Sequence, residues 1–451
     1  MTAPGSVSTR RLSFRPSAAV KVASSINWLS RQLGRGSGTV IGGRAGLAID
    51  PKLLAILAKD RNVALVSGTN GKTTTTGMLV AALTEADSAP VGTNTTGANM
   101  PAGHVAALIG ARPSGTVVLE VDEVYLGQLI EVAHPQVVVL LNLSRDQLDR
   151  IAEVRMLVDK WRAVLGSLDP IVHRGSGTVV VANADDPMVV WAASTAPKVR
   201  WIGAGQVWRD DAVGCPACGG RIVFEASGHW QCDGCEFARP ERFAWLEADV
   251  LVMADGNRYP VVIGLPGQFN RANAAMVAVA ASEMVGTYNQ PPVSVATALA
   301  RLAVLQEVAG RFSMVRRQGR RVRLLLAKNP AGWTAIFDLL AESSHPDSPV
   351  VLSINARVAD GFDTSWLWDV PFERLAGRTV VATGERCRDL AVRLRYAEVD
   401  HQVVADPLQA VDRAVQSAVA LSGAAASGAE GPPSVEFLGN YTAFAQLRSR
   451  L

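Results

Sequence analysis

Gly68-Thr69-Asn70-Gly71-Lys72-Thr73-Thr74 follows a short apolar run, residues 61–67, and leads into a helix-like run, residues 74–83. The order is strand, loop, helix. Such a loop leaves backbone N–H groups unpaired at the helix N-terminus, where they and the helix dipole attract phosphate. Glycines allow close approach, a lysine reaches the β/γ-phosphates, and the hydroxyl after it binds Mg²⁺. Read this way, Thr69, Asn70, Gly71, Lys72, Thr73 and Thr74 hold ATP, Thr73 shares the magnesium, and Lys72 also serves catalysis. Val66 stands where the general pattern has glycine, so a glycine-rich turn without ligand is the competing reading.

Outward from the loop, residues 116–121, 136–142 and 178–182 are β-branched runs ending in polar residues, as buried parallel strands do when their C-terminal ends carry a site. They alternate with helical stretches such as residues 155–165, which predicts an α/β domain with a mostly parallel sheet and helices on both faces. The pattern breaks between residues 206 and 247 into glycines, polar residues and cysteines, and resumes through residues 261–265. After residue 303 new strand-like runs begin at 322–327 and 349–354, and a last strand and helix cover 435–447, preceded by a Gly/Ala/Ser/Pro loop at 422–433. The expected organisation is a basic opening, 1–48; an ATPase domain, 49–304, with an insertion at 206–247; and a C-terminal α/β domain, 305–451.

A chain of 451 residues is too long for one core, since single cores stop growing by ~250–300 residues. Its apolar stretches, residues 137–141 among them, are far short of the ~20 residues of a membrane-spanning helix. A net charge of +3 makes no case for nucleic acid, yet no acidic residue precedes Asp50, while Arg10, Arg11, Arg15, Lys21, Arg31, Arg35 and Arg44 do. That opening lacks the apolar core of a secretory signal; a transit segment and a retained basic segment both fit.

Cys215-Pro-Ala-Cys218 and Cys232-Asp-Gly-Cys235 form two CxxC pairs, a zinc-ribbon spacing. Four thiolates fill a tetrahedral Zn²⁺ shell and leave no open position, which points to a structural metal in a reducing compartment. A redox pair of dithiols and a cluster without metal are the alternatives. Cys387 stands apart and reads as packing.

The loop sequence resembles that of the Mur ligases and folylpolyglutamate synthetases. Asn142-Leu-Ser-Arg-Asp-Gln-Leu-Asp149, Asn183-Ala-Asp-Asp-Pro187 and Gly267-Gln-Phe-Asn-Arg-Ala-Asn-Ala274 are similar to further stretches of that family, in its order. The resemblance implies a ligase in which ATP activates a carboxylate as an acyl phosphate that an amine attacks. It implies Glu120 as a Mg²⁺ ligand and catalytic residue, Asn270 and Asn273 beside adenine, and Arg311 near the γ-phosphate. Gln147 replaces the family histidine, Lys160 falls only near the usual carbamylated lysine, and Leu324-Leu-Leu-Ala-Lys-Asn-Pro330 lacks the family's aspartate.

The short opening, the four-cysteine insertion and Ser353-Ile-Asn-Ala-Arg-Val-Ala-Asp360-Gly-Phe-Asp363-Thr-Ser-Trp366 resemble the MurT group of that family. That implies amidation of the D-glutamate α-carboxylate of lipid II to D-isoglutamine in the cytoplasm, at the inner membrane face. It also implies a GatD-like class I glutaminase partner supplying ammonia, its Cys–His pair completed by Asp360 or Asp363 of this chain. Each aspartate can instead be read as a turn or capping acid. An amino-acid-adding ligase and an ATP-regulated zinc-ribbon binding module are the other functional readings.

Overall fold

The computed structural model describes residues 13–32, 39–85, 90–94, 98–145, 154–170, 177–205, 208–284, 292–305, 312–342, 345, 347–424 and 434–451. The basic opening forms helices α1 (Phe14–Gln32) and α2 (Thr39–Ile49), which pack on each other, followed by α3 (Leu53–Ala58). Their contact is made by small residues: Ala19 and Ala23 are buried, and a Cβ at Gly42 would stand 2.5 Å from the Ala23 carbonyl.

Next comes β1 (Asn62–Ser67), buried at every residue, and α4 (Lys72–Leu83). The helix therefore starts two residues earlier than its apolar pattern suggests, because Gly71, with φ of 85°, turns the chain directly into it. The chain continues through β2 (Gly92–Thr93), α5 (Pro101–Gly110), β3 (Thr116–Glu120), α6 (Leu126–Ala133), β4 (Val137–Leu140), α7 (Val154–Gly166), β5 (Val179–Asn183), α8 (Pro187–Ala193) and β6 (Val199–Gly203). A small hairpin, β7 (Ile222–Phe224) and β8 (Trp230–Cys232), precedes β9 (Ala244–Glu247), β10 (Val250–Met253), β11 (Arg258–Pro260), α9 (Gln268–Glu283) and α10 (Val295–Ala303).

Nine strands make one sheet in the order β11-β10-β9-β6-β5-β4-β1-β3-β2. It is parallel from β2 to β9 and antiparallel at β10 and β11. Two sequence expectations are corrected here. Residues 261–265 form no strand; the chain pairs at Arg258–Pro260, where a hairpin from β10 supplies the register, and Val261 and Leu265 instead bury into the core beneath α9 and α10. Ala244–Glu247, inside the expected insertion, is a strand of the main sheet beside β6.

The C-terminal unit contains β12 (Phe312–Arg317), β13 (Arg320–Leu326), α11 (Pro330–Ala341), β14 (Val350–Ser353), β15 (Val380–Thr383), α12 (Cys387–Tyr396), β16 (His401–Val403), α13 (Pro407–Ala424), β17 (Val435–Gly439) and α14 (Tyr441–Arg448). Its six strands run β12-β13-β17-β14-β15-β16, parallel apart from β12. The expected loop at 422–433 begins later, since α13 runs to Ala424; the rest of it lies outside the described residues.

β1 has β3 on one side and β4 on the other, so the chain reverses direction there. In open α/β sheets, ligands bind outside the carboxyl ends of strands at such a switch point. The loop after β1 opens there.

Candidate active site

The loop after β1 is held open by polar cross-bracing. Thr69 N–H donates to the Asn142 carbonyl at 2.9 Å, its hydroxyl donates to the Ser144 carbonyl at 3.0 Å, and Ser144 N–H donates back to that hydroxyl at 3.0 Å. Asn70 N–H donates to Asn142 Oδ1 at 2.9 Å, and Asn142 Nδ2 to the Asn70 carbonyl at 3.0 Å. Thr69 thus braces the loop rather than facing a ligand. Gly68, with φ of 141°, admits no side chain, as a Cβ there would stand 2.9 Å from the Leu141 Cβ.

Lys72 is 3% exposed and folds over the loop. Its Nζ donates to the Gly68 carbonyl at 2.6 Å and to Glu123 Oε1 at 2.9 Å. Glu123 went unnoticed in the sequence. It lies 51 residues away, and its only sign in the sequence is its place in the acidic stretch Glu120-Val121-Asp122-Glu123. Glu120, at the end of β3, is buried and accepts from Asn99 Nδ2 at 3.3 Å; Asn94 holds its backbone N–H and carbonyl, both at 2.8 Å. His104 Nε2 lies 2.9 Å from the same carbonyl, and burial pulls the ring's pKa down to about 4, so it is neutral near pH 7.

A cleft of about 420 Å³ opens between the large sheet and the C-terminal unit. Asn70, Gly71, Thr74, Asn270 and Asn273 line it on one side, with Lys328 and Ile336 opposite. Asn273 abuts the loop, since a Cβ at Gly71 would meet its Nδ2 at 3.0 Å. Asn270 donates to the Pro266 carbonyl at 2.6 Å, within the turn that starts α9. Arg311 lies outside the described residues, as do Gln147 and the rest of 146–153. Lys160 is exposed on α7; its neighbour Trp161 is the buried one, donating to the Glu123 carbonyl at 2.9 Å.

The four cysteines converge, with every Sγ within 4.8 Å of the others. Gly220 and Gly234 N–H groups point at Cys218 and Cys232 sulfurs at 3.3 and 3.2 Å. Desolvation raises the Cys232 thiol, but the Gly234 N–H and the other sulfurs outweigh it and bring it down to about 7. The Phe237 N–H lowers Cys235, yet desolvation and the surrounding sulfurs push it up to about 12. Four converging sulfurs with backbone N–H groups aimed at them suit a divalent cation, which holds each of them as a thiolate.

In the C-terminal unit the two aspartates differ. Asp360 is buried, accepts from the Thr442 N–H at 2.9 Å and from the Thr442 hydroxyl, and so anchors the start of α14. Asp363 is exposed; the Ser365 N–H at 2.8 Å lowers its pKa below the usual carboxylate range.

Residues 66–281 match the family model of the Mur ligase middle domain, and residues 326–444 that of the MurT ligase C-terminal domain. The chain is 31% identical over 402 residues to the MurT subunit of lipid II isoglutaminyl synthase (glutamine-hydrolyzing) from Streptococcus pneumoniae, covering 82% of this chain and 84% of that one. The chain belongs to the MurT family. It is 28% identical to the Staphylococcus aureus MurT subunit, over 87% of this chain and 90% of the relative. Among solved structures it is similar to a pseudomurein peptide ligase type C from Methanothermus fervidus (TM-score 0.60, 19% identity, 88% of this chain and 80% of that one). It is also similar to MurF from Acinetobacter baumannii (TM-score 0.60, 17% identity, 90% and 79%). These two share the fold. The loop, Glu120 and both asparagines of this MurT-family chain fall within the matched middle domain, and both aspartates within the matched C-terminal domain.

Proposed function

We propose that this chain is the synthetase subunit of a lipid II isoglutaminyl synthase. It uses ATP to convert the α-carboxylate of the stem-peptide D-glutamate to an acyl phosphate, which ammonia attacks to give D-isoglutamine, ADP and phosphate. The observation that carries the reading is a phosphate loop and a MurT C-terminal domain in one chain that matches a MurT subunit over four-fifths of its length. Lys72 and the α4 N-terminus take the phosphates, Thr73 and Glu120 take Mg²⁺, Asn270 and Asn273 border the adenine, and Arg311 approaches the γ-phosphate. Ammonia comes from a GatD-like class I glutaminase bound to the C-terminal unit. ADP release measured with the stem-peptide lipid, with and without that glutaminase and with a free amino acid instead, tests the reading: turnover must need an ammonia source and ignore the amino acid.

Zn²⁺ on Cys215, Cys218, Cys232 and Cys235 staples an insertion whose own apolar cluster is small, centred on Ile222 and Trp230. Cys215→Ser is expected to lose one zinc per chain and to lower the melting temperature by on the order of 10 °C, taking ~2–4 °C per kcal/mol for a domain of this size. Metal analysis and thermal melting read this out. A metal-free wild-type protein with these cysteines in disulfides would overturn it.

The reaction takes place at the inner membrane face. No helix of the described residues is long and apolar enough to cross a membrane, but α1 and α2 turn Phe14, Trp28, Leu29 and Ile41 outward, in a stretch with basic and no acidic residues. Such a surface suits an anionic bilayer. Replacing Arg10, Arg11 and Arg15 by Gln is expected to raise the apparent KM for lipid-linked substrate about tenfold in low salt, at roughly 1 kcal/mol per basic residue discounted for partial contact. An unchanged KM would dispose of the idea.

A further inference from the structure

The four-cysteine insertion reaches back to the cleft. After Cys235 the chain returns to β9, and on the way Arg239 and Arg242 line the cleft, with Ser227 and Gly228 of the β7–β8 turn beside them. Arg239 Nη1 donates to Asp185 Oδ1 and to the Gly228 carbonyl, both at 2.8 Å, so one guanidinium ties the turn to the end of β5. The other oxygen of Asp185 accepts from the Gly205 N–H at 2.7 Å. Next to it, Trp230 Nε1 donates to the Ala184 carbonyl at 3.0 Å. The insertion is thus fixed to the sheet at two successive residues, and its turn and returning arm form one wall of the cleft.

Arg242 has a different environment from Arg239. The carboxylates around it are committed elsewhere, Asp185 to Arg239 at 2.8 Å and Glu247 to Arg258 at 2.8 Å, which leaves Arg242 without an ion-pair partner among the described residues. Its stem crosses the end of β6: a Cβ at Gly203 would stand 2.8 Å from Arg242 Cδ, so only glycine lets the arginine lie there. Its guanidinium carbon sits 4.7 Å from the centroid of the Trp245 ring. Partial burial, with repulsion from Arg239, lowers its pKa from the ordinary arginine value against the opposing pull of Asp185 and Glu247. A guanidinium held in a cleft beside carboxylates already paired elsewhere keeps donors and a flat cationic face for whatever enters.

Its location says which end of the ligand it meets. β1, β4, β5 and β6 are consecutive in the sheet. At ~4.8 Å per strand, the end of β6 is roughly 14 Å from the end of β1, where the phosphate loop begins. That is comparable with the reach of an extended nucleotide. Phe269 and Asn270, at the start of α9, line the same cleft.

We propose that Arg242, positioned by the cysteine-stapled insertion, is a nucleotide-recognition residue that contacts the adenosine end of ATP, so that metal loading of the insertion and nucleotide affinity are coupled. The proposal rests on the reading that this cleft takes ATP. The ribose or base supplies acceptors for the guanidinium N–H groups and a π-face for stacking. A wall held by Arg239, Trp230 and zinc keeps the arginine in register.

The test is calorimetric titration of the full-length chain with AMP and with MgADP. The wild type is expected to bind both. Arg242→Ala should weaken both by the same factor, about tenfold or more for a lost charged hydrogen bond, with zinc content and melting temperature unchanged. Arg242→Lys should lie between, keeping the charge but not the plane. Cys215→Ser should weaken AMP binding in parallel with its loss of zinc. In turnover, Arg242→Ala should raise the KM for ATP and spare kcat. Wild-type affinity for AMP and MgADP in Arg242→Ala would overturn the proposal and leave the cleft reading intact. A wild-type chain that binds neither nucleotide would instead remove the cleft reading itself. Should Arg242→Ala lose zinc or melt early, Arg242→Lys decides: weaker AMP binding with zinc retained supports the role, and unchanged binding overturns it.

Discussion

Lys72→Ala, made together with Glu123→Gln, is expected to lower ATP-dependent amidation by about 10³ or more while leaving the secondary structure and the metal site intact. A single cationic group aimed at developing phosphate charge in a dry site is worth ~10²–10³ in kcat, and Lys72 is the loop's own cation. The second substitution matters because Lys72 and Glu123 form a pair with side chains 3% and 10% exposed. Removing only the lysine leaves a buried carboxylate without its partner, a change that destabilises proteins by ~3–5 kcal/mol and would confuse a catalytic loss with a folding one. With Glu123→Gln alone as the control, steady-state ADP release and far-ultraviolet circular dichroism separate the two. More than a few per cent of wild-type turnover in the double variant would sink the loop assignment.

Asp363→Asn is expected to lose about 10⁴ of glutamine-dependent turnover and little of ammonia-dependent turnover. A triad aspartate orients the histidine and stabilises the imidazolium; exchange for asparagine in an unrelated triad costs ~10⁴. Free ammonia bypasses glutamine hydrolysis, so only the loop, Glu120 and the acceptor site are then needed. Of the two candidates, Asp363 is the exposed one, with a carboxylate kept ionised by the Ser365 N–H. Asp360 has spent its carboxylate on Thr442. Asp360→Asn is therefore expected to loosen the start of α14 and to lower both rates together with the melting temperature. Paired rates for each variant, with glutamine and with ammonium at alkaline pH, decide the matter. Full glutamine-dependent activity in both variants would end the shared-triad idea, and a selective loss in Asp360→Asn would transfer the role to that residue.

Much of the fold was legible because its signals are local. β1 is apolar throughout, the glycines of the loop take positive φ, and four cysteines at ribbon spacing bring their sulfurs within 4.8 Å. The MurT-type arrangement of an α/β ligase domain, a four-cysteine cluster and a further C-terminal domain followed from such stretches. What escaped is tertiary. Residues 261–265 have a strand-like composition, yet they serve as core filling under α9, because the hairpin β10–β11 had already fixed the sheet edge. The Lys72–Glu123 pair and the two arginines of the insertion arm joining the cleft depend on how β1, β3, β5 and β6 lie side by side. No periodicity or spacing carries that information. Equally, Asp360 and Asp363 are three residues apart in one loop, and only the position of α14 distinguishes them.

If this chain transfers ammonia to a carboxylate activated by ATP, the nitrogen itself can be followed from glutamine to product. The chain, a GatD-like glutaminase, Mg²⁺-ATP and lipid II carrying a D-glutamate stem are incubated with glutamine labelled with nitrogen-15 in its amide, and the stem peptide is examined by mass spectrometry. Labelled D-isoglutamine is expected in amounts matching ADP released, dependent on both proteins and lost with the Lys72→Ala/Glu123→Gln chain. An unlabelled stem, or a stem lengthened by an amino acid while the glutaminase is absent, would contradict it.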